Sequence, residues 1–199
     1  TINLFPFSFS EYVTWRKLDR NQLLGTTPEL RARRNRVLLD YLEQGGIPEA
    51  LRYPDLGVLR TLYDDVLHRD IVTRHQIVDT RALRDLAFRL MSNPAGLVSF
   101  SHLKQQIGVG SINTIKAHVQ HLEDSWLILT SHLHDASIKR QQLAPKKIHG
   151  IDTGLMRAVG ARFTPDTGHF LENMVHIALH RAGYSPYYAV TQDNHEVDN

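Results

Sequence analysis

The sequence predicts a mainly α protein: a helical bundle over residues 1–94, a winged helix-turn-helix over 95–155, and a short α/β segment over 156–199. Three observations carry this. Apolar residues recur at three- and four-residue spacing through most of the first half. Two helical patterns then flank a glycine turn, Gly108-Val109-Gly110. Two β-prone runs follow the second of those helices, in the order a wing requires.

Composition sets the outer limits. With 199 residues, 42% of them hydrophobic, the chain can bury a substantial core. No stretch approaches 18 apolar residues, which excludes a membrane-spanning helix and a membrane partner of that kind. The start, Thr1-Ile2-Asn3-Leu4-Phe5-Pro6, has neither an initiator Met nor a signal-peptide pattern and reads as a cut into a longer protein. Absence of cysteine rules out disulfides and thiolate metal sites, and fits a reducing cytoplasm. A net charge of +2 does not by itself mark a nucleic-acid binder, so any such case must rest on where charge sits.

Ile2 to Phe9 alternates apolar with other residues around Pro6, as an edge strand or extended arm does. Ser10 is placed to cap a short helix carrying Tyr12, Val13 and Trp15. Thr26-Thr27-Pro28-Glu29 has capping-box spacing and opens a longer helix. Its inward residues are Leu30, Val37, Leu38, Tyr41 and Leu42, and Gly45-Gly46 stops it. The arginines of that helix, Arg31, Arg33, Arg34 and Arg36, read as a solvated face; contact with phosphates or an acidic domain is the alternative. A helix over 56–67 puts Leu59, Leu62, Tyr63 and Val66 on one face. Another over 80–92 turns Leu83, Leu86, Ala87, Leu90 and Met91 inward, and Asn93-Pro94-Ala95-Gly96 ends it.

In the next module, Ser99 and Ser101 are placed to cap a short helix holding Leu103 and Ile107. Ser111 caps a longer one whose buried stripe is Ile112, Ile115, Val119 and Leu122. Its opposite face presents Asn113, Lys116 and Gln120, with Ala117 beside them. The runs 126–133 and 146–151 form a two-stranded wing around a polar loop with Lys139, Arg140, Gln141 and Gln142. Asn113 and Gln120 have the donors and acceptors to read base edges, and Lys116, Lys139 and Arg140 the charge to neutralise phosphates. The competing reading is a protein-protein or intramolecular module, because this face carries one full positive charge.

Several strings in fixed order resemble one family. They are Phe7-Ser8-Phe9-Ser10-Glu11-Tyr12, then residues 41–49 (Tyr-Leu-Glu-Gln-Gly-Gly-Ile-Pro-Glu), then Arg69-Asp70-Ile71 with Arg74. Asp152-Thr153-Gly154-Leu155 follows, and finally Leu171-Glu172-Asn173 with Glu196-Val197-Asp198. Together these resemble the archaeal and bacterial AAA-type P-loop ATP-binding proteins with a carboxy-terminal domain of unknown function. The resemblance implies an ATPase core ahead of Thr1, with ATP and magnesium as the parent protein's cofactors and none in this fragment. No G-x-x-x-x-G-K-[ST] string occurs here. It also implies a nucleotide-sensing role for Arg69 and Arg74, set against the simpler reading of an Arg69–Asp70 helix-end ion pair. The tail resembles the opening of a restriction-endonuclease-like domain, with Glu172 on a helix and Asp198 on a following strand as magnesium ligands. The downstream acid and lysine are absent and Asn199 stands where an apolar residue is usual, so the site is incomplete.

The histidine pairs His118/His121, His132/His134 and His176/His180 have spacings that suit a metal, but without cysteine or an H-E-x-x-H string they read as scattered surface histidines. No G-x-S-x-G or G-x-G-x-x-G string is present. The expected function is a regulatory binding module, working beside an ATPase core and contacting duplex DNA or a protein partner. An ATP-dependent magnesium nuclease and a dimeric winged-helix transcription regulator are the rivals.

Overall fold

The computed structural model describes residues 3–53, 55–161, 167–190 and 196–198. The chain is mainly helical, and its described residues form one three-stranded antiparallel sheet and one antiparallel pair of strands.

An extended arm enters first, and its Phe7 N–H donates to the Gly46 carbonyl at 2.7 Å. Helix α1 (Phe9–Trp15) is capped by Ser8 rather than Ser10. The reason is a reciprocal box: Ser8 Oγ accepts from the Glu11 N–H while the Glu11 carboxylate accepts from the Ser8 N–H at 2.7 Å. A short α2 (Arg20–Leu24) leads to α3 (Pro28–Gln44), capped by Thr27 because Pro28 occupies the first helical position. Val37, Tyr41 and Leu42 are buried as predicted, and Gly45 ends the helix at φ 75°. After α4 (Pro48–Arg52), α5 (Leu56–Asp65) does not stop at Leu67 but continues into a π-helical segment, Val66–Thr73. Burial runs at four-residue spacing through Leu59, Tyr63, Leu67 and Ile71, so Leu62, expected inside, is 39% exposed.

Helix α6 (Thr80–Met91) buries all five predicted residues. A strand absent from the sequence reading, β1 (Gly96–Val98), follows it, then α7 (Phe100–Ile107) and α8 (Ile112–Asp124). Strands β2 (Ile128–Ser131) and β3 (Lys146–Gly150) fall within the two predicted runs, but β3 is central and the sheet order is β1-β3-β2. The polar loop between them holds a short helix, α9 (Ile138–Leu143), capped by Ser137. Helices α10 (Thr153–Val159) and α11 (Thr167–Arg181) precede the antiparallel pair β4 (Tyr188–Val190) and β5 (Glu196–Asp198).

The main core draws Leu59 and Ile71 from the first half, Ile115 and Ile148 from the middle, and Leu155 and Met156 from α10, so it is continuous across residues 94 and 155. A second core joins Tyr12, Val13 and Leu23 to Val37 and Tyr41. Arm, α3 and α10 meet at one tight junction. The buried Asp152 carboxylate accepts from Gly46 N–H at 2.6 Å and from Leu155 N–H at 2.8 Å. Burial nevertheless pushes its pKa up to about 6, against the backbone donors that favour the anion.

Candidate nucleic-acid interface

The exposed face of α8 is fixed by how the helix is seated. Gly108 at φ 78° caps α7 and reverses the chain, and Ser111 Oγ accepts from Asn113 N–H to start α8. Ile115, Val119 and Leu122 are buried, with Ile112 half-buried, while α8 packs on α6, α7 and β2. Asn113, Lys116, Ala117 and Gln120 face solvent as the spacing predicts. Gln120 is engaged at its far end, where its side chain donates to Asp124 at 3.0 Å. Glu123 accepts from Thr130 N–H at 3.1 Å and from Thr130 Oγ1 at 2.7 Å, locking the helix to β2.

The connection between β2 and β3 leaves the strand on which α8 packs, β2. Lys146 opens β3 almost fully buried, donates to the Gln141 carbonyl at 2.6 Å, and lies 2.9 Å from His132 Nδ1. Its ammonium is held below the usual lysine range by burial first and then by the positive charge of Lys116. Of the two predicted basic residues of the connection, Lys139 is exposed on α9. Arg140 is instead paired to Asp135 at 3.1 Å.

The other predicted residues fall elsewhere. Glu172 lies on α11 and pairs with the buried Lys147 of β3 at 2.5 Å. Asp198 stands in β5, in register with Tyr188; Asn199 lies outside the described residues. Arg69 is exposed in the π-helical segment and meets Asp65 at 4.0 Å rather than Asp70, and Arg74 is exposed at the segment's end. No group of three or more metal-ligating side chains is assembled among the described residues.

The reading of the paired histidines as surface residues holds for His132 and His134, which are exposed, and is corrected by burial for His118 and His176, which are 7% and 6% exposed. His149, outside those pairs, is 2% exposed. His149 and His176 stack in parallel with centroids 3.6 Å apart, and Ser131 Oγ lies 3.0 Å from one ring and 3.2 Å from the other. Burial, then His176 and Lys147, push the His149 pKa down to about 2. Beside them Asn173, fully buried, brackets Gly150: its Oδ1 accepts from the N–H and its Nδ2 donates to the C=O, both at 2.8 Å. Sequence reasoning missed this polar seam between sheet and α11. The one available signal was the pair Lys146-Lys147 inside a β-prone run, which must bury at least one charge.

These features define a mainly helical protein with a polar helix face and a basic connection. Residues 35–166 match the model of a family described as a domain of unknown function, DUF8612, and the chain belongs to that family. Two curated relatives are similar at 24% identity. One is uncharacterized protein MJ1544 of Methanocaldococcus jannaschii, matched over 98% of this chain and 45% of its own length. The other is an uncharacterized protein of Haemophilus influenzae, matched over 92% and 46%. The chain thus spans a little under half of each. No solved structure matches.

Proposed function

We propose that this chain is the binding module of a larger protein and grips duplex DNA with α8 and the β2–β3 connection. In this reading α6, β1, α7, α8, β2 and β3 form a winged helix. Asn113 and Gln120 contact base edges, and Lys116, Lys139 and Arg140 contact phosphates. One observation carries the proposal: α8 packs on α6, α7 and β2 and leaves Asn113, Lys116 and Gln120 together on its exposed face, with Lys139 exposed on the connection that leaves β2.

The proposed setting is a cytoplasmic P-loop ATPase, in which a separate domain holds ATP and magnesium and uses this module to couple nucleotide state to a partner. The greater length of the two relatives leaves room for such a domain. Arg69 and Arg74, exposed on the helical half, are placed in this reading to meet it. A magnesium nuclease using Glu172 and Asp198 is the second reading, favoured by the helix-then-hairpin order of α11, β4 and β5. The commitment of Glu172 to Lys147 weighs against it.

The test is fluorescence anisotropy of the chain with labelled duplex DNA at two salt concentrations. Binding that weakens steeply with salt, and is reduced in Lys116→Ala and Lys139→Ala, supports the proposal. No binding at about 50 mM salt overturns it and leaves a protein-interaction module.

A further inference from the structure

Charge is distributed unevenly along this chain. Residues 16–36 hold Arg16, Lys17 and Arg20 near α1 and α2, and Arg31, Arg33, Arg34 and Arg36 on α3. Within that window Asp19 and Glu29 stand against these seven, a net of +5 in a chain whose total is +2, while Glu11 on α1 and Asp40 and Glu43 near the end of α3 lie outside it. The structure keeps them together, because α1 and α2 both pack on α3 and the Arg33 guanidinium meets the Gln22 side chain of α2.

The seven are also accessible. Six are exposed and Arg34 is half-buried. None takes part in an ion pair among the described residues, where the pairs belong to Arg69, Arg81, Arg140, Lys147 and Arg181. The exposed Asp19 carboxylate is engaged in capping α2, accepting from Asn21 N–H at 2.9 Å. Crowding like charge without paired counter-charge opposes the compact state, and a bound polyanion would relieve it. Six of the seven are arginines, whose planar fork matches phosphate oxygens. Trp15, 39% exposed beside Arg16, adds a surface on which a base can stack. A lipid surface fits poorly, because the apolar side of α3 is already used in the core through Val37, Tyr41 and Leu42.

We propose that this α1–α3 corner is a second nucleic-acid surface, one that holds the sugar-phosphate backbone without reading sequence. It is separate from the α8 face. Helix α3 packs on α1, α2, α10 and α11, whereas α8 packs on α6, α7 and β2. The inference stands whether or not α8 binds DNA.

The experiment compares two variant sets of the chain by anisotropy across a salt series, using labelled duplex DNA and labelled single-stranded oligo-dT. One set is Arg31→Gln/Arg33→Gln/Arg36→Gln and the other is Lys116→Ala/Lys139→Ala, with folding checked by circular dichroism. Loss of three phosphate contacts flattens the log–log salt slope by about two to three and weakens binding near 0.1 M salt about a hundredfold. A charge-preserving Arg31→Lys/Arg33→Lys/Arg36→Lys variant keeps most of the slope. Unchanged affinity and slope of the glutamine variant on both probes overturns the proposal. If only the lysine-to-alanine set weakens binding, the α8 reading stands and this one falls; if only the glutamine set does, the reverse holds. Preference for polyglutamate or anionic vesicles over both nucleic acids also overturns it.

Discussion

The Gly46 backbone N–H donates to the Asp152 carboxylate at 2.6 Å, across 106 residues of sequence. Around that bond the arm, the end of α3 and the start of α10 are drawn together. Phe7 N–H donates to the Gly46 carbonyl, Tyr41 Oη donates to the Phe7 carbonyl at 2.7 Å, and Asp152 caps α10. The α11 residue Arg181 closes the far side, binding Glu11 at 2.6 Å and the Pro6 carbonyl. Three of the most distinctive strings, around Phe7, Gly45-Gly46 and Asp152-Thr153-Gly154, are thus parts of one structural joint. Their residue types follow from close backbone approach and capping, and they lie apart from the exposed face of α8.

This joint leaves no room for added atoms. A Cβ on Gly45 would overlap the Asp152 carboxylate at a φ of +75°, and a Cβ on Gly154 would overlap the Gln44 carbonyl. Gly154→Ala is expected to destabilise the fold by about 3 kcal/mol, and Gly45→Ala by at least as much because backbone strain adds to the overlap. Urea denaturation of each variant checks this; a shift equal to that of Gly110→Ala, where nothing lies within 4 Å, would refute it.

Asp152 also makes stability depend on pH. Its folded pKa, raised to about 6 from an ordinary 3.8, means the folded state holds a proton that the unfolded state has released. Its contribution is therefore full below pH 3.8 and is lost as pH rises through about 6. Asp152→Asn removes this dependence, though it leaves a backbone N–H facing an amide and costs about 1–3 kcal/mol at pH 7. Denaturation midpoints of the two proteins between pH 4 and 7 should converge as pH rises. Parallel curves would refute the assignment.

His118 predicts the opposite slope and a gain on removal. Neither of its ring nitrogens has a hydrogen-bond partner among the described residues, and burial, then His121, lowers its pKa. A histidine that resists protonation when folded stabilises above its unfolded pKa of 6.5, and that contribution is lost as pH falls. His118→Leu removes the unsatisfied nitrogens from the α8 stripe and is expected to raise stability by about 1 kcal/mol at pH 7 and more at pH 5. Thermal melts at the two pH values measure this; destabilisation at both would mean the ring makes a contact that leucine cannot replace.

Periodicity located α3, α6 and α8 because each has a single buried face that the core demands. It misjudged Leu62, because winding changes from α to π just beyond it and burial had already settled on Leu59 and Tyr63. Strand β1 was hidden in Gly96-Leu97-Val98, three residues whose extended form is set only by pairing with β3. The α8 face could be read from spacing, since Asn113, Lys116 and Gln120 are simply what burial leaves outside. The seam of Lys147, His149, Asn173 and His176 could not. Buried polar residues depend on partners from distant elements, and spacing within one element says nothing about them.

Arg140 is the basic residue of the wing whose charge is already spoken for. Asp135 holds it at 3.1 Å and is itself mostly buried, so the two nearly cancel at the surface presented to a phosphate. Lys139, exposed with no ion-pair partner among the described residues, should dominate instead. Arg140→Ala is therefore expected to weaken duplex binding less than Lys139→Ala does. Asp135→Asn frees the guanidinium and removes a negative charge from the interface, and should tighten binding severalfold while steepening the log–log salt slope by about one. Anisotropy titrations of the three variants at matched salt decide it. If Asp135→Asn leaves affinity and slope unchanged, the β2–β3 connection does not touch the phosphate backbone, and on this side of the molecule α8 alone is left to make the contact.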